Sequence, residues 1–169
     1  MNKMREVKIE KVVINMGVGA AGEKLVKAQK VLGLVTKRKS VQTLSKSTIR
    51  DWGIRQNMPI GAKVTIRGKD AEAFVRKALS IKNNSLPVYR FDPQGNFSFG
   101  VTDYTEFEGM KYDPEIGVVG MDICVSLARP GYRIMRRRIA PKRVATTHRL
   151  TKDEGIAFAR EKLGVEVVE

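Results

Sequence analysis

Hydrophobic positions along this chain recur with two periods, and the switches between them mark out the elements. Val7 to Met16 (VKIEKVVINM) is rich in β-branched residues and reads as a strand. After Gly17-Val-Gly19-Ala-Ala-Gly22 the period lengthens. Leu25, Ala28, Leu32 and Val35 form the apolar stripe of a helix over about Glu23 to Thr36, with Lys24, Lys27 and Lys30 outward. A basic turn, Lys37-Arg38-Lys39, leads into a short strand over Val41 to Lys46. From Ala62 to Gly68 the alternation is clean: Ala62, Val64 and Ile66 point one way, Lys63, Thr65 and Arg67 the other. A second helix follows, with Asp70 at its N-cap and Ala71, Phe74, Val75, Ala78 and Leu79 on one face. Asn83 to Pro87 ends it, and Arg90 to Asn96 is a loop of turn formers. Thr151-Lys-Asp-Glu154 is a capping box opening a last helix, about 152–163, with Ile156, Ala159 and Leu163 inward.

Two further stretches decide the class. Phe97, Phe99 and Val101 alternate with Ser98, Gly100 and Thr102. Met121, Ile123, Val125 and Leu127 alternate with Asp122, Cys124, Ser126 and Ala128. Each is a strand with one apolar face and one face of mostly small residues. A sheet of such strands takes helices on one side and leaves an open side that another molecule's backbone can approach closely. The expected class is α+β, in one domain over residues 1–169: the chain is short enough for a single core, and no repeat, low-complexity tract or linker divides it.

One stretch fits neither period. Ser47 to Gly61 carries Arg50, Trp52, Arg55, Gln56 and Met58, broken by Gly53, Pro59 and Gly61, and reads as an exposed loop arm leading into the Ala62 strand. A large aromatic beside two guanidinium groups suits stacking on bases and pairing with phosphate. A solvated hairpin arm with a tucked-in Trp52 fits the same residues.

Charge sharpens this picture. The formal net charge is +14 and the pI about 10.1, so a polyanion is the expected partner, nucleic acid ahead of an acidic membrane surface. No apolar run approaches bilayer length, and MNKMREVKIEK lacks the apolar core of a signal peptide, which weakens the membrane reading. From Lys24 to Arg50 there are eight Lys or Arg and no acid. From Arg129 to Arg143 (RPGYRIMRRRIAPKR) there are seven, again with no acid. Within the latter basic extension, about 129–150, Gly131 to Lys142 is too basic to bury and reads as a short helix or an extended arm; Arg133, Arg136, Arg137, Arg138, Lys142 and Arg143 are its candidate ligands for nucleic-acid phosphate. Between the two, Phe91 to Ala128 holds seven acids against Lys111 alone. Its core, Asp103 to Glu115, reads as a solvated edge or a protein contact.

Candidate catalytic chemistry is sparse. Strand, G-x-G-x-x-G and helix is formally the dinucleotide fingerprint, yet Val35 to Arg50 holds no acid to bind a ribose and no regular strand–helix alternation follows. Gly17 to Gly22 equally suits one RNA phosphate at a helix N-terminus, or a tight turn alone. Cys124 is the single cysteine, which excludes an internal disulfide and fits a reducing compartment. His148 has no partner residues of metal-ligand type nearby. No nucleophile–base–orienter set is visible, so neither an enzyme nor a cofactor is expected.

Four ordered motifs carry a family resemblance: EKVVINMGVG (Glu10 to Gly19), STIRDWGIRQNMPIGAKVTIRG (Ser47 to Gly68), FDPQGNFSFG (Phe91 to Gly100) and KYDPEIGVVGMDICV (Lys111 to Val125). Together they resemble the large-subunit ribosomal protein L-five family, the 5S rRNA-binding protein of the central protuberance. RPGYRIMRRR at Arg129 is similar to its archaeal and eukaryotic branch. The resemblance implies a mostly antiparallel sheet with helices packed on one face. It implies a ribosome-bound, cytoplasmic protein that joins 5S rRNA to 23S rRNA among neighbouring large-subunit proteins. By that resemblance Lys11, Asn15 and Thr65 contact 5S rRNA, and Arg38 stands where the bacterial pattern has a glutamine contact. Lys63 and Arg67, on the same strand face as Thr65, join that set. The arm implied to reach P-site tRNA comprises Arg50, Trp52, Gly53, Ile54, Arg55, Gln56, Asn57 and Met58. A small-subunit head protein across the subunit interface is the further partner implied, with the acidic segment as its expected contact. An RNA-binding module or chaperone acting off the ribosome is the alternative from the same chemistry.

Overall fold

A computed structural model describes residues 2–114 and 117–168. Strands β1 (Lys8–Gly17), β2 (Val41–Leu44), β3 (Pro59–Ile66), β5 (Phe97–Val101) and β6 (Met121–Ala128) form one sheet in the order β2-β3-β1-β6-β5. The sheet is mostly antiparallel. Helices α1 (Glu23–Thr36), α2 (Lys69–Ile81) and α3 (Lys152–Leu163) complete an α+β architecture. Contacts divide the chain into two compact units. One holds Met1–Val12, Arg67–Ser98 and Val125–Glu169; the other holds Val13–Ile66 and Phe99–Cys124.

In the second unit, α1 packs on β3. Its buried stripe is Leu25, Ala28, Val31 and Leu32, so Val31 takes the place the periodicity gives to Val35, which is half-buried in the last turn. Burying each such aliphatic side chain contributes about 1.5–3 kcal/mol. The helix stops because Lys37 adopts the left-handed conformation, φ 53°, which a helix cannot continue. β2 then pairs antiparallel with β3 from Val41 opposite Lys63 to Leu44 opposite Pro59, with a register shift between Thr43 and Leu44. β3 therefore begins at Pro59, three residues before the clean alternation. Gly61 is required there: a Cβ would lie 2.8 Å from the Met16 carbonyl oxygen.

This topology overturns the dinucleotide fingerprint. A dinucleotide-binding βαβ unit sets the strands before and after the helix side by side and parallel. Here β3 intervenes between β1 and β2, and β2 is an edge strand. Gly22 caps α1 at φ 106°, a backbone conformation that favours glycine, so the turn itself accounts for a glycine there.

In the first unit, α2 buries Ala71, Phe74, Val75, Ala78 and Leu79, all five positions of the predicted face. Its cap differs from the sequence reading. Gly68 holds that place at φ 74°, ψ −150°, a conformation only glycine tolerates, and Asp70 lies in the first turn, where its charge meets the positive helix end. α3 starts on the capping box as read: Thr151 accepts from the Glu154 N–H, and the Glu154 carboxylate accepts from the Thr151 N–H. Its buried face is Gly155, Phe158, Ala159 and Leu163, with Ile156 only half-buried. Gly155 lies against the 90–96 loop, where a Cβ would come 2.4 Å from the Gly95 carbonyl oxygen. That loop is ordered by Asp92, whose carboxylate accepts from the N–H groups of Gln94 and Asn96 and from the Asn96 amide. Strands β4 (Ser85–Pro87) and β7 (Glu166–Val168) pair in parallel, where the sequence suggests only a helix end.

The acidic stretch is pinned rather than loose. Tyr104 and Phe107 are buried, the Tyr104 hydroxyl accepts from the Asp113 N–H at 3.0 Å, and Asp113 stands 3.8 Å from Lys30 Nζ. Glu106 and Glu108 remain exposed, so an acidic surface survives on an anchored segment. Glu115, the end of the predicted stretch, lies outside the described residues.

Candidate nucleic-acid interface

Strand alternation builds the site. On β1, burial of Val12, Ile14 and Met16 turns Lys11, Val13 and Asn15 to the opposite face. On β3, burial of Ala62, Val64 and Ile66 exposes Lys63 and Thr65. β3 and β6 flank β1, and β6 turns Asp122 and Cys124 outward. Gly100 on β5 lies beside Asp122, at van der Waals distance for an added Cβ (3.4 Å). The open face therefore holds a cation, an amide and a hydroxyl amid small side chains. Among the described residues, no hydrogen bond or ion pair engages the side chains of Lys11, Asn15, Lys63 or Thr65. Their donors and acceptors are available to a partner.

Cys124 shares this face. Partial burial pushes its thiol up from the usual range, and the Asp122 carboxylate adds to the effect. At neutral pH it stays a neutral thiol and adds no negative charge where an anion would dock.

Arg38 follows the left-handed Lys37 in the exposed turn between α1 and β2, its N–H donating to Thr36 Oγ1 at 3.3 Å. The arm is better ordered than its turn residues suggest. Ile49 and Ile54 exchange both backbone hydrogen bonds (2.8 and 3.0 Å), and Ser45 bonds through its N–H to Met58 and through its carbonyl to Asn57. The Gln56 N–H donates to Thr48 Oγ1 at 3.0 Å. A 3-10 turn, Arg50–Trp52, forms the tip, closed by Gly53 at φ 65°. Trp52 is 72% exposed, which removes the tucked-in alternative. Arg50, Arg55, Gln56 and Asn57 are exposed with it, Met58 is half-buried, and Ile54 turns inward as the arm's own anchor. Sequence reasoning groups Ile54 with the outward residues because a pair of isoleucines five apart carries no periodic signal.

The basic extension lies in the first unit. It is neither a regular helix nor an extended arm: a 3-10 turn over Tyr132–Met135 leads into irregular chain and a second short turn at Thr146–His148. Arg129, at its root, is only 8% exposed. Its guanidinium donates to the carbonyls of Arg5, His148 and Arg149 and to Glu154 at 2.5 Å. The Tyr132 hydroxyl donates to the His148 carbonyl and accepts from the Leu150 N–H, which closes the extension on itself. Arg133, Arg138, Lys142 and Arg143 are exposed, Arg137 donates to the Ala140 carbonyl at 2.8 Å, and Arg136 pairs with Glu10. Arg67, past the end of β3, stands 3.7 Å from the same carboxylate. The structural role of Arg129 is the feature missed in sequence; its one sign there is a lone arginine directly following an apolar strand.

No group of His, Cys, Asp and Glu suited to a metal ion occurs among the described residues. Among the same residues, no helix is long and apolar enough to cross a membrane.

Comparison with known proteins shows the family. The sequence model of the family described as Ribosomal protein L5 matches residues 2–55, and the companion model of that family's C-terminus matches residues 59–158. The chain is 50% identical to the large ribosomal subunit protein uL5 of Thermoplasma volcanium, over 99% of each chain. It is 48% identical to that of Picrophilus torridus, over 99% of this chain and 96% of the relative. Identity to the Methanoregula boonei protein is 48%, over 97% and 99%. These three relatives are archaeal, as the extension at Arg129 leads one to expect. Residues 2–158 carry one family's pattern, and its members are structural ribosomal proteins rather than enzymes: the chain belongs to the ribosomal protein L5 family of the large ribosomal subunit.

Proposed function

We propose that this large-subunit ribosomal protein holds 5S rRNA on the open face of its sheet and anchors it to 23S rRNA, while its arm touches P-site tRNA. Family membership sets its partners as ribosomal RNA and other ribosomal proteins. The observation that carries the finer reading is the unengaged set Asn15, Lys63 and Thr65 on neighbouring strands, with Lys11 further along β1, on a face of small residues. Cations give affinity that falls with salt, whereas an amide and a hydroxyl at fixed positions give register. Arg38 supplies a fork for phosphate in the adjacent turn, where a glutamine would offer only neutral bonds. Arg67 and the extension's exposed cations add backbone contacts to rRNA.

Trp52, presented at the tip of an ordered hairpin, supports the tRNA contact, because an exposed indole on a rigid support stacks with little loss of chain entropy. The exposed acids Glu106 and Glu108, on their anchored segment, are the proposed contact for a basic small-subunit head protein. We take the whole chain, residues 1–169, as one functional domain: β1, β5 and β6 each run from one compact unit into the other.

A gel-shift titration tests the central claim, using 5S rRNA and a size-matched control RNA at low and near-physiological salt. A simple polycation holds both with Kd values of roughly micromolar or weaker and loses both steeply. Survival of the 5S complex alone at the higher salt is the expected result. Loss of both together would leave charge as the whole explanation.

A further inference from the structure

Glu10 stands on β1 directly before Lys11, in a neighbourhood of candidate RNA ligands. Its side chain is 19% exposed, against 57% for Arg67 and 53% for Arg136. Arg136 grips the carboxylate with a fork, Nη1 on Oε1 and Nη2 on Oε2 at 3.0 Å, while Arg67 Nη1 stands 3.7 Å from Oε1. Arg133 lines the same recess of about 300 Å³. A guanidinium fork meets a carboxylate and a phosphate in the same planar, two-bonded way. The carboxylate thus occupies, within the free protein, the place a nucleic-acid phosphate would take on these two arginines.

We propose that Glu10 is a built-in phosphate surrogate, a specificity-determining residue that suppresses binding of the wrong RNA. The inference rests on the RNA-binding reading above. An ordinary condensed counterion leaves when RNA binds and its release favours the complex. Glu10 cannot leave: it is tethered to β1 and largely shielded from water. An RNA that meets only these arginines finds two cations offset by one fixed anion, and gains little. A cognate RNA seated on the open sheet face meets these arginines only at its margin and need not displace the carboxylate, whereas an RNA with charge alone to offer must displace it to use them. The cost therefore falls mainly on the second RNA, and this inequality is what lowers its affinity relative to the first.

Full-length Glu10→Gln tests this against Glu161→Gln, which removes one exposed carboxylate of α3 and so changes net charge equally. With the control RNA, Glu10→Gln should bind roughly tenfold tighter at low salt, with a salt dependence steeper by about one to two phosphate contacts. Glu161→Gln should shift much less, and the ratio of 5S to control affinity should fall only for Glu10→Gln. Equal shifts for the two variants overturn the proposal, since net charge would then account for both. Arg136→Gln gives a second reading if Glu10→Gln is poorly folded by thermal melt. It should cost less control-RNA affinity than removing a cation that has no carboxylate partner, because the Glu10 fork already holds the Arg136 guanidinium. Losses as large as for Arg138→Gln, an exposed cation of the same extension, overturn it. Failure of the wild-type protein to discriminate 5S rRNA would sink the proposed function instead, and the control-RNA comparison alone decides the role of Glu10.

Discussion

Among the described residues, the side chains of Asn15 and Thr65 have no hydrogen-bond partner, so neither stabilises the fold in that way. Changing both to Ala should leave the melting temperature unaltered and weaken 5S rRNA binding about tenfold or more, since neutral hydrogen bonds contribute about 0.5–1.5 kcal/mol each. A gel shift at moderate salt that finds affinity unchanged means the sheet face is the wrong surface. Gly155 gives the contrary case, a residue with a purely structural reason. In a helix interior Gly→Ala ordinarily stabilises by about 1 kcal/mol. At Gly155 the new Cβ would lie 2.4 Å from backbone of Gly95, itself at φ 76° and unable to yield. Overpacking of that kind costs about 1–3 kcal/mol or more, so the clash wins. Gly155→Ala should lower the urea midpoint; a rise would mean that the 90–96 loop moves freely.

The arm and the basic extension are the two elements whose order is tertiary. Hairpin bonds among Ser45, Ile49, Ile54 and Met58 hold the arm independently of the sheet-face ligands. Deleting Gly53 to Met58 should therefore spare 5S rRNA binding and disturb P-site tRNA occupancy on assembled ribosomes. Loss of 5S rRNA binding would place the arm in the primary site. The extension is tied down at its root by a buried residue. Arg129 ties it to the carbonyls of Arg5, His148 and Arg149, so Arg129→Gln should unmoor residues 131–150. Hydrogen exchange would show faster exchange there, with β1 and β3 unaffected; unchanged protection at Leu150, whose N–H bonds to Tyr132, would give the anchoring role to Tyr132 alone.

At the scale of the whole molecule, the single cysteine is a native reporter of whether RNA docks on the sheet. Its thiol is raised above the ordinary value of 9.0, first by burial and then by Asp122, so the reactive thiolate is scarce below that pH. Alkylation by iodoacetamide, followed by mass spectrometry, should accelerate only at strongly alkaline pH, and its onset should move down in Asp122→Asn. Stoichiometric 5S rRNA should slow it. An unaltered rate with saturating RNA would mean that the RNA avoids the β6 part of the open face.

Periodicity alone determined most of the local architecture. The α2 face, the alternation of β3, β5 and β6, and the Thr151 capping box all depend on spacings of two to four residues, which the sequence displays directly. The outward placement of Thr65 follows from the same rule, whereas Asn15 was singled out by the family resemblance alone. Contacts between residues far apart were decided only by tertiary structure. β4 pairs with β7 across about eighty residues and has no periodic signal. Gly68 displaces Asp70 as the cap of α2 because the chain needs a positive φ there, not a side-chain acceptor. Val31 replaces Val35 because α1 is buried to the depth β3 allows. The basic extension looks in sequence like uniform positive charge. In the fold Arg129 is an internal strut, Arg136 and Arg67 share Glu10, and the exposed cations around them are left to bind. Charge can be counted along a chain, but which charges are already neutralised depends on which partners the fold brings within a few ångströms.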